Sequence, residues 1–173
     1  ETRKSMGLTE GDFQEAKAIE VGNIFTLGTR FSEPLGLTYT DESGTKKPVY
    51  MGSYGIGIGR VMGTIVETHA DDKGLVWPRE VAPFRIHLIA LKEAFAEGER
   101  VFEALTAQGV SVLFDDRVEK SAGEMFADAD LIGIPTRVVI SPKTLEKGSV
   151  EVKDRMTGEV SLVPMEAFLK KPC

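Results

Sequence analysis

Between Phe84 and Ser141 the chain alternates strand-like and helix-like segments, and this alternation restricts the fold more than any other feature. "FRIHLIAL" is a short apolar run of strand character. "EAFAEGERVFEALTAQG" places Phe95, Val101, Phe102 and Leu105 on one helical side and closes at Gly109. "VSVLFDD" gives a second strand, "GEMFADADLIGIP" a second helix ended by Gly133 and Pro135, and "TRVVIS" a third strand. Phe126, on that second helix between Met125 and Leu131, reads as a core side chain. A βαβαβ order demands a parallel sheet with right-handed crossovers. "SVEVKDRMTGEVSLV" predicts a hairpin around "MTGE" that adds antiparallel strands at one side. "PMEAFLKK" predicts a last short helix opened by Pro164.

The first half has a different rhythm. Prolines at 78 and 83 in "GLVWPREVAP" place a domain boundary there, giving domains 1–82 and 83–173. "ETRKSMGLTEGDFQEAK" is polar and reads as irregular, a loop or loose end. "AIEVGNIFTLG" reads as a strand and "TRFSEPLG" as a turn limited by Pro34. "LTYTDESGTKKPVYMG" predicts a hairpin, with strands at 37–40 and 49–51 and a turn at Asp41, Ser43 and Gly44. "RVMGTIVETHA" predicts a helix with Val61, Ile65 and Met62 toward a core, stopped by Asp71, Asp72 and Gly74.

Composition removes several function classes. An apolar fraction of 42% supports a packed core, while no apolar run is long enough to span a bilayer. No secretory leader is evident, and the single cysteine, Cys173, has no partner for a disulfide, so the expected setting is the cytoplasm. His69 and His87 lack Cys or His neighbours in sequence, which argues against zinc. With a formal net charge of −6, any nucleic acid must be met by a local surface rather than by overall charge.

"MGSYGIGIGR", from Met51 to Arg60, is the segment that bears on chemistry. Its glycines fit a sharp strand-to-helix turn, or a strip of bare backbone against a ligand. It is not a Walker phosphate loop, which ends in Gly-Lys-Ser/Thr, nor a dinucleotide fingerprint, whose last glycine stands one residue further on. Arg60 lies at a helix start, where the dipole disfavours a cation. A guanidinium beside bare backbone suits a flat base and a phosphate, because it can stack and donate at once. Spacing alone leaves both readings open.

"IEVGNIFTLGTRFSE", "MGSYGIGIGR", "GLVWPREVAPFRIHLIAL" and "DDRVEKSAGEMFADADLIGIP", in that order, resemble the C-terminal part of the bacterial-type prolyl-tRNA synthetases. The resemblance runs from about Ala18 to near the end. It implies an α/β chain: a remnant of the class II antiparallel catalytic sheet, then a class IIa anticodon-binding domain with a mixed five-stranded sheet flanked by helices. "MGSYGIGIGR" is similar to motif 3, which makes Arg60 the catalytic arginine that packs on adenine and reaches the terminal phosphate of ATP. Gly55, Gly57 and Gly59 then let adenosine and the aminoacyl group lie on the sheet. Glu20 and Asn23 match positions lining the ATP region, with Glu20 also toward Mg²⁺. Gly22, Asn23 and Ser53 fall at the proline pocket. For Glu20 and Asn23 to face one site, the strand is expected to bulge near Gly22.

The family usually has histidine where Asn23 stands, lysine where Arg30 stands, and often cysteine where Ser53 stands. These exchanges touch amino-acid selection. Motifs 1 and 2, most of the catalytic sheet and the editing domain of many bacterial enzymes have no counterpart in the 173 residues. The chain therefore reads as a C-terminal piece, inactive alone, of an enzyme that forms prolyl-adenylate from proline and ATP and passes the prolyl group to tRNA(Pro). In the intact enzyme, acceleration comes from positioning and charge stabilisation, and a homodimer is implied. An alternative is a non-catalytic tRNA-binding or regulatory protein built from the same domains.

The resemblance also assigns the anticodon-binding loop. Asp115, Asp116, Arg117, Glu119 and Lys120 lie after a strand and before a helix, at the carboxyl end of a parallel sheet. Asp116, Arg117, Glu119 and Lys120 are the expected anticodon contacts. Carboxylates accept from guanine N1 and N2, while Arg and Lys donate to O6, N7 and phosphate. The proline anticodon carries two guanines, which suits this mixture.

Overall fold

The computed structural model describes residues 5–7, 9–12, 14 and 16–172. The irregular opening expected from sequence falls partly outside these residues. The chain packs as two compact units that divide between Thr64 and Ile65.

In the first unit, β1 (Gly22–Gly28) pairs antiparallel with β4 (Met51–Ile56). Between them in sequence, β2 (Thr38–Thr40) and β3 (Lys46–Pro48) form a hairpin. The hairpin was expected, but its second strand is Lys46–Pro48 rather than 49–51. The turn sets this register. Asp41 Oδ1 accepts from the amides of Ser43 and Thr45, both at 2.9 Å, and Gly44 takes φ +80°. Met51 is thereby freed to begin β4. The expected bulge near Gly22 is also corrected: the register shift lies between Thr26 and Gly28. α1 (Ile58–Thr68) starts immediately after Gly57, as the glycine-rich junction predicts. Val61 and Ile65 are half-buried, but Met62 is 53% exposed and does not face a core among the described residues.

The second unit takes the last turn of α1 and then a small antiparallel hairpin, β5 (Ala70–Asp71) and β6 (Gly74–Leu75), where the sequence pattern predicts only a helix stop. A five-stranded mixed sheet follows, in the order β11-β10-β9-β7-β8. β7 (Ile86–Ala90) lies parallel to β8 (Val112–Asp115) and β9 (Thr136–Ile140). β10 (Ser149–Asp154) and β11 (Val160–Pro164) complete the sheet antiparallel, as the "MTGE" turn requires. The helices are α2 (Phe95–Ala107), α3 (Ala122–Ile132), a short α4 (Pro142–Leu145) and α5 (Met165–Lys170).

Strand alternation divides the core in two. Ile86, Leu88, Val138 and Ile140 meet Val101 and Leu105 of α2 and Phe168 of α5 on one face. On the other, Ile89 and Val139 meet Met125 and Ala129 of α3, with Phe126 packed against them as expected. Each large aliphatic side chain so buried contributes about 1.5–3 kcal/mol. His87 and Arg137 are register partners on the α3 face, so both point under that helix.

The unit boundary precedes the sequence boundary at Pro83 because the intervening segment is fastened to the second unit. Arg155 donates to both oxygens of Asp71, each at 2.7 Å, and Trp77 Nε1 donates to the Ile132 carbonyl at 3.0 Å.

Candidate functional site

The first candidate site lies in the first unit, around the start of β1 and the junction of β4 with α1. Directly opposed residues share a sheet face, and Asn23 opposes Gly55 while Phe25 opposes Ser53. Asn23, Ser53 and Gly55 therefore stand on one side. Arg60 reaches back from the first turn of α1: its Nη1 donates to the Glu20 carbonyl at 2.7 Å and lies 3.6 Å from Glu20 Oε1. Asn23 Nδ2 donates to the same Oε1 at 3.4 Å. Glu20 precedes the strand, so strand alternation does not separate it from Asn23, and no bulge is needed. The side chains of Arg60 and Glu20 remain 57% and 67% exposed.

None of Gly55, Gly57 and Gly59 has positive φ, so none is there for a left-handed turn. A Cβ at Gly59 meets nothing within 4 Å, and one at Gly55 only touches Asn23 Oδ1 at 3.6 Å. At Gly57 the nearest atom is Arg60 Cβ, at 3.4 Å. The fold itself thus has little need for glycine at these positions, and what they leave is an open backbone strip beside Arg60. Gly22 differs. A Cβ there falls 2.7 Å from the Gly55 carbonyl, so glycine is what lets β1 approach β4.

The second candidate site is the loop from Asp115 to Lys120 at the carboxyl end of β8, in the second unit. Arg117 Nε and Nη2 donate to Asp115 Oδ1 and Oδ2 at 2.8 and 2.7 Å, and its Nη1 donates to Asp128 Oδ2 of α3 at 2.8 Å. Asp115 is buried, and the Arg117 hydrogen bonds hold its carboxyl below the usual range. Lys120 Nζ pairs with Glu124 at 3.1 Å. Asp116 and Glu119 are exposed and, among the described residues, their carboxylates have no ion-pair partner. A cleft of about 210 Å³ is lined by His87, Phe114, Asp115, Asp116, Arg117 and Asp128. His87 is 2% exposed, its Nδ1 has no hydrogen-bond partner, and burial lowers its pKa.

The sequence reading missed a charged cluster under α3. Lys153 Nζ lies 2.8 Å from Asp130 Oδ1, Arg137 Nη1 lies 3.6 Å from the same atom, and the Arg137 guanidinium sits 4.5 Å from the centre of the Phe126 ring. The available signal was period two: Arg137 in "TRVVI" and Lys153 in "SVEVKD" are register partners on one face.

The helix after the loop is capped in a way that predicts an acid response. Ser121 Oγ accepts from the Glu124 amide at 3.3 Å while Glu124 Oε2 accepts from the Ser121 amide at 3.0 Å. The Ser121 amide and its hydroxyl, which donates to Oε2 at 2.9 Å, together with Lys120 bring the Glu124 carboxyl from 4.5 down to about 2. A depressed folded-state value gives stability that is complete above the unfolded value and is lost as pH falls toward the folded one. Wild-type protein is therefore expected to lose melting temperature faster than Glu124→Gln as pH falls from about 4.5 to about 2. Parallel thermal melts by circular dichroism check this, and equal pH slopes contradict it.

Among the described residues, no helix is long and apolar enough to cross a membrane, and no three His, Cys, Asp or Glu side chains group as a metal site. The family model described as "Anticodon binding domain" matches residues 81–171, and the one described as "tRNA synthetase class II core domain (G, H, P, S and T)" matches residues 10–69. Among curated relatives, the protein named proline--tRNA ligase of Dehalococcoides mccartyi is 45% identical over 166 residues, covering 94% of this chain and 29% of the relative. That of Bacillus licheniformis is 51% identical over 154 residues, covering 87% and 27%. That of Parvibaculum lavamentivorans is 49% identical over 160 residues, covering 90% and 36%. The chain thus spans about a third or less of the length of these relatives.

Proposed function

Since the chain belongs to the anticodon-binding domain family and matches part of a class II synthetase core ahead of that domain, we infer that it is a portion of a proline–tRNA ligase. Residues 1–82 supply part of the ATP and proline site, and residues 83–173 supply anticodon recognition. The segment 65–82 is then a connector that the anticodon-binding domain holds. The observation that carries the catalytic half is the open strip of Gly55, Gly57 and Gly59 beside a guanidinium anchored on Glu20.

In this reading the adenine of ATP lies between the strip and the plane of Arg60, whose free N–H groups face the phosphates. Gly22, Asn23 and Ser53 border the proline. Mg²⁺ binds one or two carboxylates together with substrate phosphates, and Glu20, whose side chain is 67% exposed, is the residue here that would hold it. Mg²⁺ would neutralise phosphate charge. The chain's own part is to orient ATP and to give a positive charge a fixed place. In the intact enzyme, working as a cytoplasmic homodimer, the prolyl-adenylate so formed is consumed by tRNA(Pro). Asp116, Arg117, Glu119 and Lys120 form the surface that meets the anticodon.

Filter binding at fixed salt tests the anticodon assignment. The chain is expected to prefer a tRNA(Pro) transcript over a copy with an altered anticodon guanine by at least about fivefold, the low end for one base contact. Equal affinity for the two overturns it.

A further inference from the structure

Arg117 has five N–H donors, and three of them are committed inside the protein, two to Asp115 and one to Asp128. Its charge is more than matched by those two carboxylates. Asp115 is buried at the end of β8, while Asp128 lies on α3, so the guanidinium ties the strand end to the helix across the mouth of the cleft. The Arg117 carbonyl then accepts from the Lys120 amide at 2.9 Å, closing the loop on itself. Within this brace, Asp116 and Glu119 are the exposed carboxylates, and the charge of Lys120 is paired with Glu124.

We propose that Arg117 is a positioning residue, which holds the loop so that Asp116 and Glu119, rather than Arg117 itself, meet the base edge of single-stranded RNA. This rests on the anticodon assignment above. Chemistry supports the division of roles. A carboxylate repels phosphate, so it adds nothing to sequence-independent affinity and can only accept from N–H or O–H groups. Adjacent N1–H and N2–H donors occur on guanine alone among the four standard bases, so fixed carboxylates discriminate for guanine. A loose loop loses that discrimination while keeping its charges. His87, buried and with its Nδ1 unpartnered, lines the same cleft.

The test compares filter-binding affinities of the full chain for a tRNA(Pro) transcript and for a copy with inosine in place of an anticodon guanine. Inosine lacks the N2 donors and leaves the phosphates unchanged. Arg117→Ala and Asp128→Ala are each expected to lower the guanine-over-inosine ratio, by up to about tenfold, with the double variant no worse than the poorer single one. Arg117→Lys, a single point donor that cannot span both carboxylates, is expected to behave like alanine. If Asp128→Ala keeps the wild-type ratio, or Arg117→Lys restores it, Arg117 acts directly on the RNA and the positioning role is overturned. If an Asp116→Asn/Glu119→Gln variant also leaves the ratio unchanged, the loop is not the recognition surface and the anticodon assignment fails with it. Asp128→Ala removes the acceptor on α3 and keeps the Asp115–Arg117 pair intact, so it decides the matter even where Arg117→Ala unfolds the domain.

Discussion

Gly133→Ala is expected to destabilise the second unit by about 2–5 kcal/mol, several times the cost of a typical surface change. Gly133 caps α3 with φ +77°, a left-handed backbone that a Cβ strains by about 1–2 kcal/mol. The remainder is steric. A Cβ there collides with the backbone carbonyl of Leu75 and stands 2.8 Å from the Leu75 Cβ. The contact is reciprocal, since Gly74 turns its bare side to Leu131, with a built Cβ 2.7 Å from the Leu131 carbonyl oxygen. Two glycines thus let the β5–β6 hairpin lie directly on the end of α3. Pushing them apart also threatens the bonds that Trp77 makes to the carbonyls of Gly133 and Ile132. Gly109→Ala is the matched control. Its φ is +78°, yet its Cβ meets nothing within 4 Å, so it carries the strain alone. Urea unfolding of both variants separates the two contributions, and equal losses contradict a close approach at Gly133.

Those glycines show what sequence reveals and what it does not. Gly133 followed by Pro135 announces the end of a helix, because punctuation is local. That Leu75 presses on it from the β5–β6 hairpin is not local. The same division runs through the fold. The βαβαβ rhythm was legible because strand and helix periods differ and each segment closes on Gly or Pro. α4 was missed because a four-residue helix has no periodicity; only the Ser141–Thr144 cap marks it. The hairpin register was missed because Asp41 Oδ1 fixes the turn through side-chain bonds that composition does not order. At the sites, motif resemblance named Glu20, Asn23 and Arg60, and the structure brings them together. It could not say that Arg117 spends its donors on Asp115 and Asp128. A sequence counts charges, but Asp128 reaches Arg117 only because α3 folds back over the end of β8.

Under the proposed function, Arg60→Ala made in the intact enzyme is expected to lower kcat/KM for proline-dependent ATP–pyrophosphate exchange by roughly 10²–10³-fold, the range for losing one preorganised donor. The proposed function gives the side chain two roles that alanine ends together. In the proposed site its plane is the stacking surface over the strip left by Gly55, Gly57 and Gly59, and its outer N–H groups are the donors to phosphate. Preorganisation is what makes the loss large: Nη1 is already held by the Glu20 carbonyl at 2.7 Å, so little reordering is needed when ATP arrives. Arg60→Lys separates plane from charge. Lysine keeps the charge but cannot both stack and fork, so most of the loss is expected to persist. Glu20→Gln supplies the converse comparison. The bond that anchors Arg60 goes to the Glu20 backbone oxygen, which the substitution leaves in place. Its effect is therefore expected on the Mg²⁺ concentration dependence of exchange more than on the KM for ATP. If Arg60→Ala sustains near-normal exchange, Arg60 lies outside the reacting site. If lysine restores activity fully, the arginine serves as a charge and the adenine rests elsewhere.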